Sequence, residues 1–152
     1  MLEWDLSRSH SVGDVAWPPD NTRGQYFLKG DLHLTLKLPG RVLAAGLADV
    51  RVERGGDQVT VLQLRGHPLT LEGAVAEVER RMAEMDLPRR DFDQWRADAA
   101  SGDFQRRRVF ATRRNDLRPA LSLEVKHTYD EARPWYLSWE IAWPGVAPAV
   151  SP

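Results

Sequence analysis

From residue 25 the chain alternates. In YFLKGDLHLTLKL, Tyr26, Leu28, Leu32, Leu34, Leu36 and Leu38 fall on one side and Lys29, Asp31, His33, Thr35 and Lys37 on the other. That period of two predicts a strand with one wet face. Pro39-Gly40 supplies a tight turn, Pro by fixing φ and Gly by admitting a positive one. The following RVLAAGLADVRVER sets Val50 and Val52 inward against Asp49, Arg51 and Glu53. Its AAG segment is weaker and is the expected place for a bulge. Gly55-Gly56-Asp57 closes a second hairpin onto QVTVLQLRG, which completes a three-stranded meander.

The period changes at residue 70. In TLEGAVAEVERRMAEMDLP, Leu71, Ala74, Val75, Val78, Met82 and Met85 recur every three or four residues, one face of a helix. Thr70 is the natural N-cap and Glu72 suits the positive end of the helix dipole. Glu77–Arg81 and Arg80–Glu84 are four apart and are expected on the wet face. Pro88 opens a new segment, in which Phe92, Trp95 and Ala99 predict a shorter amphipathic helix ending near Gly102.

Strand character returns in DFQRRRVFATR, turns at Asn115-Asp116, and continues in ALSLEVKH, with Leu121, Leu123 and Val125 opposite Glu124 and Lys126. The last element is WYLSWEIAW, bracketed by Pro134 and Pro144. Its aromatic and β-branched content reads as a strand. Trp135, Leu137, Trp139, Ile141 and Trp143 then share one face, and Tyr136, Ser138, Glu140 and Ala142 the other. Interleaving with Leu137 and Ile141 marks the Trp face as core, packed under Leu71, Val75, Val78 and Met82, with the central Trp139 expected to be buried. Trp135 and Trp143 adjoin loops and are the two rings placed to serve as interface anchors.

The order is βββ-αα-βββ. Short turns imply antiparallel pairing, so the chain predicts an α+β fold with two helices on one face of an antiparallel sheet, whether one sheet or two. Its 152 residues are expected to form a single domain. Residues 1–24, with the loop chemistry of WPPDNTRG, read as an irregular arm docked by Trp4 and Trp17. Residues 25–143 form the body, and the Pro-rich 144–152 a flexible tail.

Composition removes several chemistries. The absence of Cys excludes disulfides, thiolate metal sites and Cys nucleophiles. No Gly-rich phosphate loop and no nucleophile elbow occur. His10, His33, His67 and His127 show no metal-ligand spacing. No cofactor or metal is expected. The acidic clusters Asp91/Asp93 and Asp130/Glu131 read as helix-start and loop charge rather than as an acid–base pair. No apolar run is long enough to span a bilayer. The stretch MLEWDLSRSH lacks a signal-peptide core, so a cytoplasmic protein is expected, or a periplasmic one if a signal segment has been removed.

Net charge is −1, but the charges are unevenly placed. Acids outnumber bases between 70 and 98. Between 104 and 118, Arg106, Arg107, Arg108, Arg113, Arg114 and Arg118 face Asp116 alone. Three consecutive Arg in a strand must point to both faces, so that strand is expected at a sheet edge. The asymmetry fits internal compensation of the helices against the sheet edge, or a charged protein partner. Nucleic acid, held by Arg with Phe104 and Phe110, is disfavoured by the negative total and by the lack of a fold-specific signature. The leading expectation is therefore a non-enzymatic protein-binding domain of the kind that includes immunity and inhibitor proteins against bacterial toxins. Its candidate interface residues are Arg106, Arg107, Arg108, Arg113, Arg114, Trp135 and Trp143. The alternative is a small-ligand or carbohydrate binder using surface Trp, and a third reading assembles an enzyme site from His33, His127 and Asp130.

Overall fold

The computed structural model describes residues 2–85, 87, 89–101, 107–111, 119–127 and 132–143. Strands β1 (Leu2–Asp5), β2 (Gln25–Leu38), β3 (Arg41–Gly55) and β4 (Gln58–Arg65) precede helices α1 (Leu71–Met85) and α2 (Arg89–Ser101). Strands β5 (Arg107–Ala111), β6 (Ala120–His127) and β7 (Trp135–Ala142) follow. All seven strands lie in one sheet, in the order β1-β2-β3-β4-β7-β6-β5. The expected α+β order holds for the body, and the two meanders merge because β4 and β7 pair antiparallel, Leu64 opposite Trp139.

Several expectations change. Residues 1–24 are not wholly irregular: Leu2–Asp5 forms a strand parallel to β2, Trp4 opposite Leu36, and Val12–Val15 forms a short 3-10 turn. The sheet is therefore mixed. Leu2, Trp4 and Leu6 do alternate with Glu3 and Asp5, but so short a run with its partner some thirty residues away gives little local signal. The arm is docked by its two tryptophans. Trp4 is buried, and Trp17 packs edge-on to Tyr26 at 4.7 Å and donates to the Asn21 carbonyl at 3.0 Å. The Tyr26 hydroxyl donates to the Val15 carbonyl, and burial pushes its pKa up to about 12.

The bulge also moves. The ladder is regular through Ala44, Ala45 and Gly46, and the extra residue lies in β2 between Lys29 and Leu32, where Gly30 takes φ +125°. One extra residue lets the even positions of β2 face Val50 in one half of the ladder and Leu43 in the other. β3 itself alternates without a break from Leu43 to Val52, so its buried residues Leu43 and Leu47 lie on the opposite face of the sheet from Val50 and Val52.

Helix α1 starts where its cap predicts. The Gly73 N–H donates to Thr70 Oγ1 at 3.1 Å. The helix packs across β3, β6 and β7, and α2 packs on α1 and β5. Phe92, Trp95 and Ala99 are the buried residues of α2, as their spacing implies. On α1 the buried stripe is Ala74, Val78, Arg81, Met82 and Met85, so Arg81 belongs to the core side and not to the wet face. It sits three residues from Val78 and four from Met85, the middle of the stripe. Its guanidinium lies 5.4 Å from the centre of the Trp139 indole, with Nε donating to Glu77 at 2.8 Å and Nη1 to Glu84 at 2.7 Å. Those carboxylates and the aromatic face replace the water that the charge gives up.

Candidate docking surface

Helices cover one face of the sheet. The other face is built from the alternate residues of the same strands, and the register aligns them in rows. One row runs Phe27, Arg51, Gln63, Glu140, Ser122 across five strands. The next runs Lys29, Asp49, Arg65, Ser138, Glu124, and beyond it Tyr136 lies opposite Lys126. A shallow groove of about 290 Å³ lies over these rows.

The surface carries both signs of charge in close alternation. Asp49 pairs with Arg65, Glu124 with Lys126 at 3.0 Å, and Arg51 approaches Glu53 at 3.7 Å. The Lys126 ammonium stands 6.0 Å from the Tyr136 ring. Two side chains stand out. Phe27 is 51 % exposed, one of two large apolar side chains so exposed among the described residues. The Arg51 side chain is about one-third exposed, although its Nε is enclosed and has no hydrogen-bond partner. Sequence alternation showed Asp49, Arg51, Glu124, Lys126, Tyr136, Ser138 and Glu140 to be outward. Only the strand order shows that they form one surface.

The residues singled out from sequence are only partly among those described. Arg106, Arg113 and Arg114 lie outside the described residues, as do Phe104, Asp130 and Glu131. Strand β5 is at the sheet edge, as the Arg run required. Its position Arg107 is in register with Lys126 and Arg108 with Val125, so the two positions belong to opposite faces. Trp135 and Trp143 are enclosed, 2 % and 7 % exposed, and neither presents a face to a partner. Trp135 is held edge-on by Trp95 at 5.7 Å and by His127 at 4.8 Å, and Trp143 stacks on His10 at 5.0 Å. The loops that adjoin them do not open them, because α2 and the N-terminal arm fill the space beside each ring. Trp4, Trp95 and Trp139 are buried too, and Trp17 is partly so against the same core.

His33 and His127 do not meet. They are on β2 and β6, with three strands between them, which is about 19 Å across a sheet. His67 is the histidine that reaches Asp31, at 3.3 Å. Asp93 is exposed beside Arg89 at 3.9 Å. Among the described residues no three His, Asp or Glu side chains come together as metal ligands, and no helix is long and apolar enough to cross a membrane. Comparison with family models, with curated proteins and with solved structures finds no match to this chain.

Proposed function

We propose that this is a protein-binding domain that docks a charged partner protein on the open face of its sheet, in the manner of immunity and inhibitor proteins that neutralise a bacterial toxin or effector. The observation that carries the reading is exposed Phe27 side by side in register with the partly exposed Arg51 on a broad polar face. An aromatic anchor beside an Arg, ringed by polar residues, is the composition of an interface centre. Interleaved Asp49, Glu124 and Glu140 disfavour a polyanion and favour a partner surface that itself carries both signs. The carbohydrate reading needs an exposed Trp face, and the six rings of this chain are engaged in packing.

The test is affinity capture by the full chain from its native host, repeated with Phe27→Ser and Arg51→Glu, with thermal melting to show that both variants fold. A discrete partner retained by the parent and by Arg89→Glu on α2, but lost by both open-face variants, supports the reading. Capture of nothing, or capture indifferent to both open-face substitutions, overturns it.

A further inference from the structure

On the helix-bearing side a cleft opens between α1 and strands β2 and β3. It has two lobes of about 240 Å³ and 340 Å³, and Gly46, Arg80 and Arg81 border both. Trp139, Leu137 and Leu69 line one lobe, with His67 beside them, and Ala44, Ala45 and His33 line the other. Two glycines keep it open. A Cβ at Gly66 would stand 3.5 Å from the Trp139 ring, and one at Gly46 would project beside the His33 ring.

Arg81 is 3 % exposed. Its Nε and Nη1 are held by Glu77 and Glu84. Nη2 makes no hydrogen bond to a described residue, yet it is not among the enclosed unpaired nitrogens. Because Arg81 borders both lobes, the cleft is where that nitrogen is reached. Beside it, Arg80 uses only Nη2, which donates to both oxygens of Glu77 at 2.9 Å. Two guanidinium groups thus retain free donors at the mouth of an aromatic-floored cleft. The two arginines are balanced by Glu77 and Glu84. That leaves the four groups with no net charge, so an anion is held by directed hydrogen bonds to the arginines rather than by excess positive charge, and because Glu77 also lines the cleft a monoanion is repelled less than a dianionic phosphate.

We propose that this cleft binds the carboxylate of an acid with an apolar body, the two oxygens meeting Arg80 and Arg81 and the body lying against Trp139 and Leu137. The proposal does not rest on the open-face docking surface, and either can fail while the other stands.

The experiment titrates the full chain with 3-phenylpropanoate and hexanoate, and in parallel with 3-phenylpropanamide and phenyl phosphate. The amide signals of Gly46 and Gly66 and the Trp139 indole N–H are followed by two-dimensional NMR. A peptide ending in Phe, as free acid and as amide, separates a polypeptide terminus from a free acid as the source of the carboxylate. Saturable shifts at these three groups are expected from a free acid of either source. The matching amide should bind at least about tenfold more weakly, the scale of one lost charge-assisted hydrogen bond. Arg80→Gln should weaken binding by a similar factor. Gly46→Val should abolish it without unfolding the chain, because Gly46 has no positive φ and its Cβ position meets nothing closer than 3.8 Å. The absence of saturable shifts with every acid overturns the proposal. So does equal binding of acid, amide and phosphate, or binding that survives Gly46→Val.

Discussion

Ser138 and Trp139 are neighbours on β7, and they lie on opposite faces of the same sheet. Trp139 is 4 % exposed, opposite Leu64 and Leu123 and beneath the Arg81 guanidinium. Ser138 is flanked by Arg65 and Glu124 in a row of charged and polar side chains. The covered face is specified by volume, and even its one charge is fitted against a ring and two carboxylates. The open face is specified by charge order, and most of its side chains remain partly exposed. Stability should therefore reside in the covered face, and the open face is the one left for the proposed docking.

Substitutions at alternate positions test that division most directly. Trp139→Ala should cost about 3–5 kcal/mol in urea denaturation, while Tyr136→Ala on the same strand should cost less than about 1 kcal/mol. Equal costs would mean that the open face is covered in solution. Next in size is the contrast between adjacent arginines. Arg81→Ala strips Glu84 and half of Glu77's pairing and empties the space above Trp139, at about 2–3 kcal/mol. Arg80→Ala should cost less than about 1 kcal/mol, since that side chain is largely exposed. Arg81→Met should recover much of the Arg81→Ala loss, because a buried ion pair is often replaced by packed apolar volume at little cost. If Arg80 and Arg81 respond alike, Arg81 is not enclosed.

The open face should show weaker, salt-sensitive coupling. A double-mutant cycle on Asp49 and Arg65 should give about 0.2–1 kcal/mol, falling as ionic strength rises. A coupling that is larger and insensitive to salt would place that pair in a drier setting than an open groove. The smallest effect is in pH. Burial pushes the Glu77 carboxyl up, but the hydrogen bonds and charges of Arg80 and Arg81 outweigh it and leave its pKa below the usual carboxylate value. A depressed pKa stabilises the fold above the unfolded value, and that contribution is lost as pH falls through the folded one. The stability difference between the parent and Glu77→Gln should thus shrink steadily below about pH 4.5. A difference that stays constant with acidification would separate Glu77 from the arginine pair.

Element positions were largely legible because each has a local cause. Thr70 caps α1, Gly40 and Gly56 supply positive φ at their hairpin turns, and the Trp135–Trp143 alternation names its own buried face. The candidate docking surface was legible only in part. Phe27 lies outward between Tyr26 and Leu28, but nothing in its local pattern says that Arg51, Gln63 and Glu140 continue its row. Arg81 was assigned outward because it is four residues from Glu77. That spacing serves a wet face and a buried one equally well, and its distance from Val78 and Met85 places it toward the sheet.

By itself the sequence determined most of the described strands and helices from residue 25 onward, the two hairpin turns of the first meander, and the apolar side of β6 and β7. These follow from dihedral preference and from periods of two and 3.6, which act over a few residues. Tertiary structure alone decided that β4 and β7 join two meanders into one sheet, that β1 adds in parallel, and that both end tryptophans are enclosed. It also placed a buried arginine over Trp139 and left a polar face open. Each of these depends on what a side chain meets from tens of residues away, and a local period reports only the face it lies on.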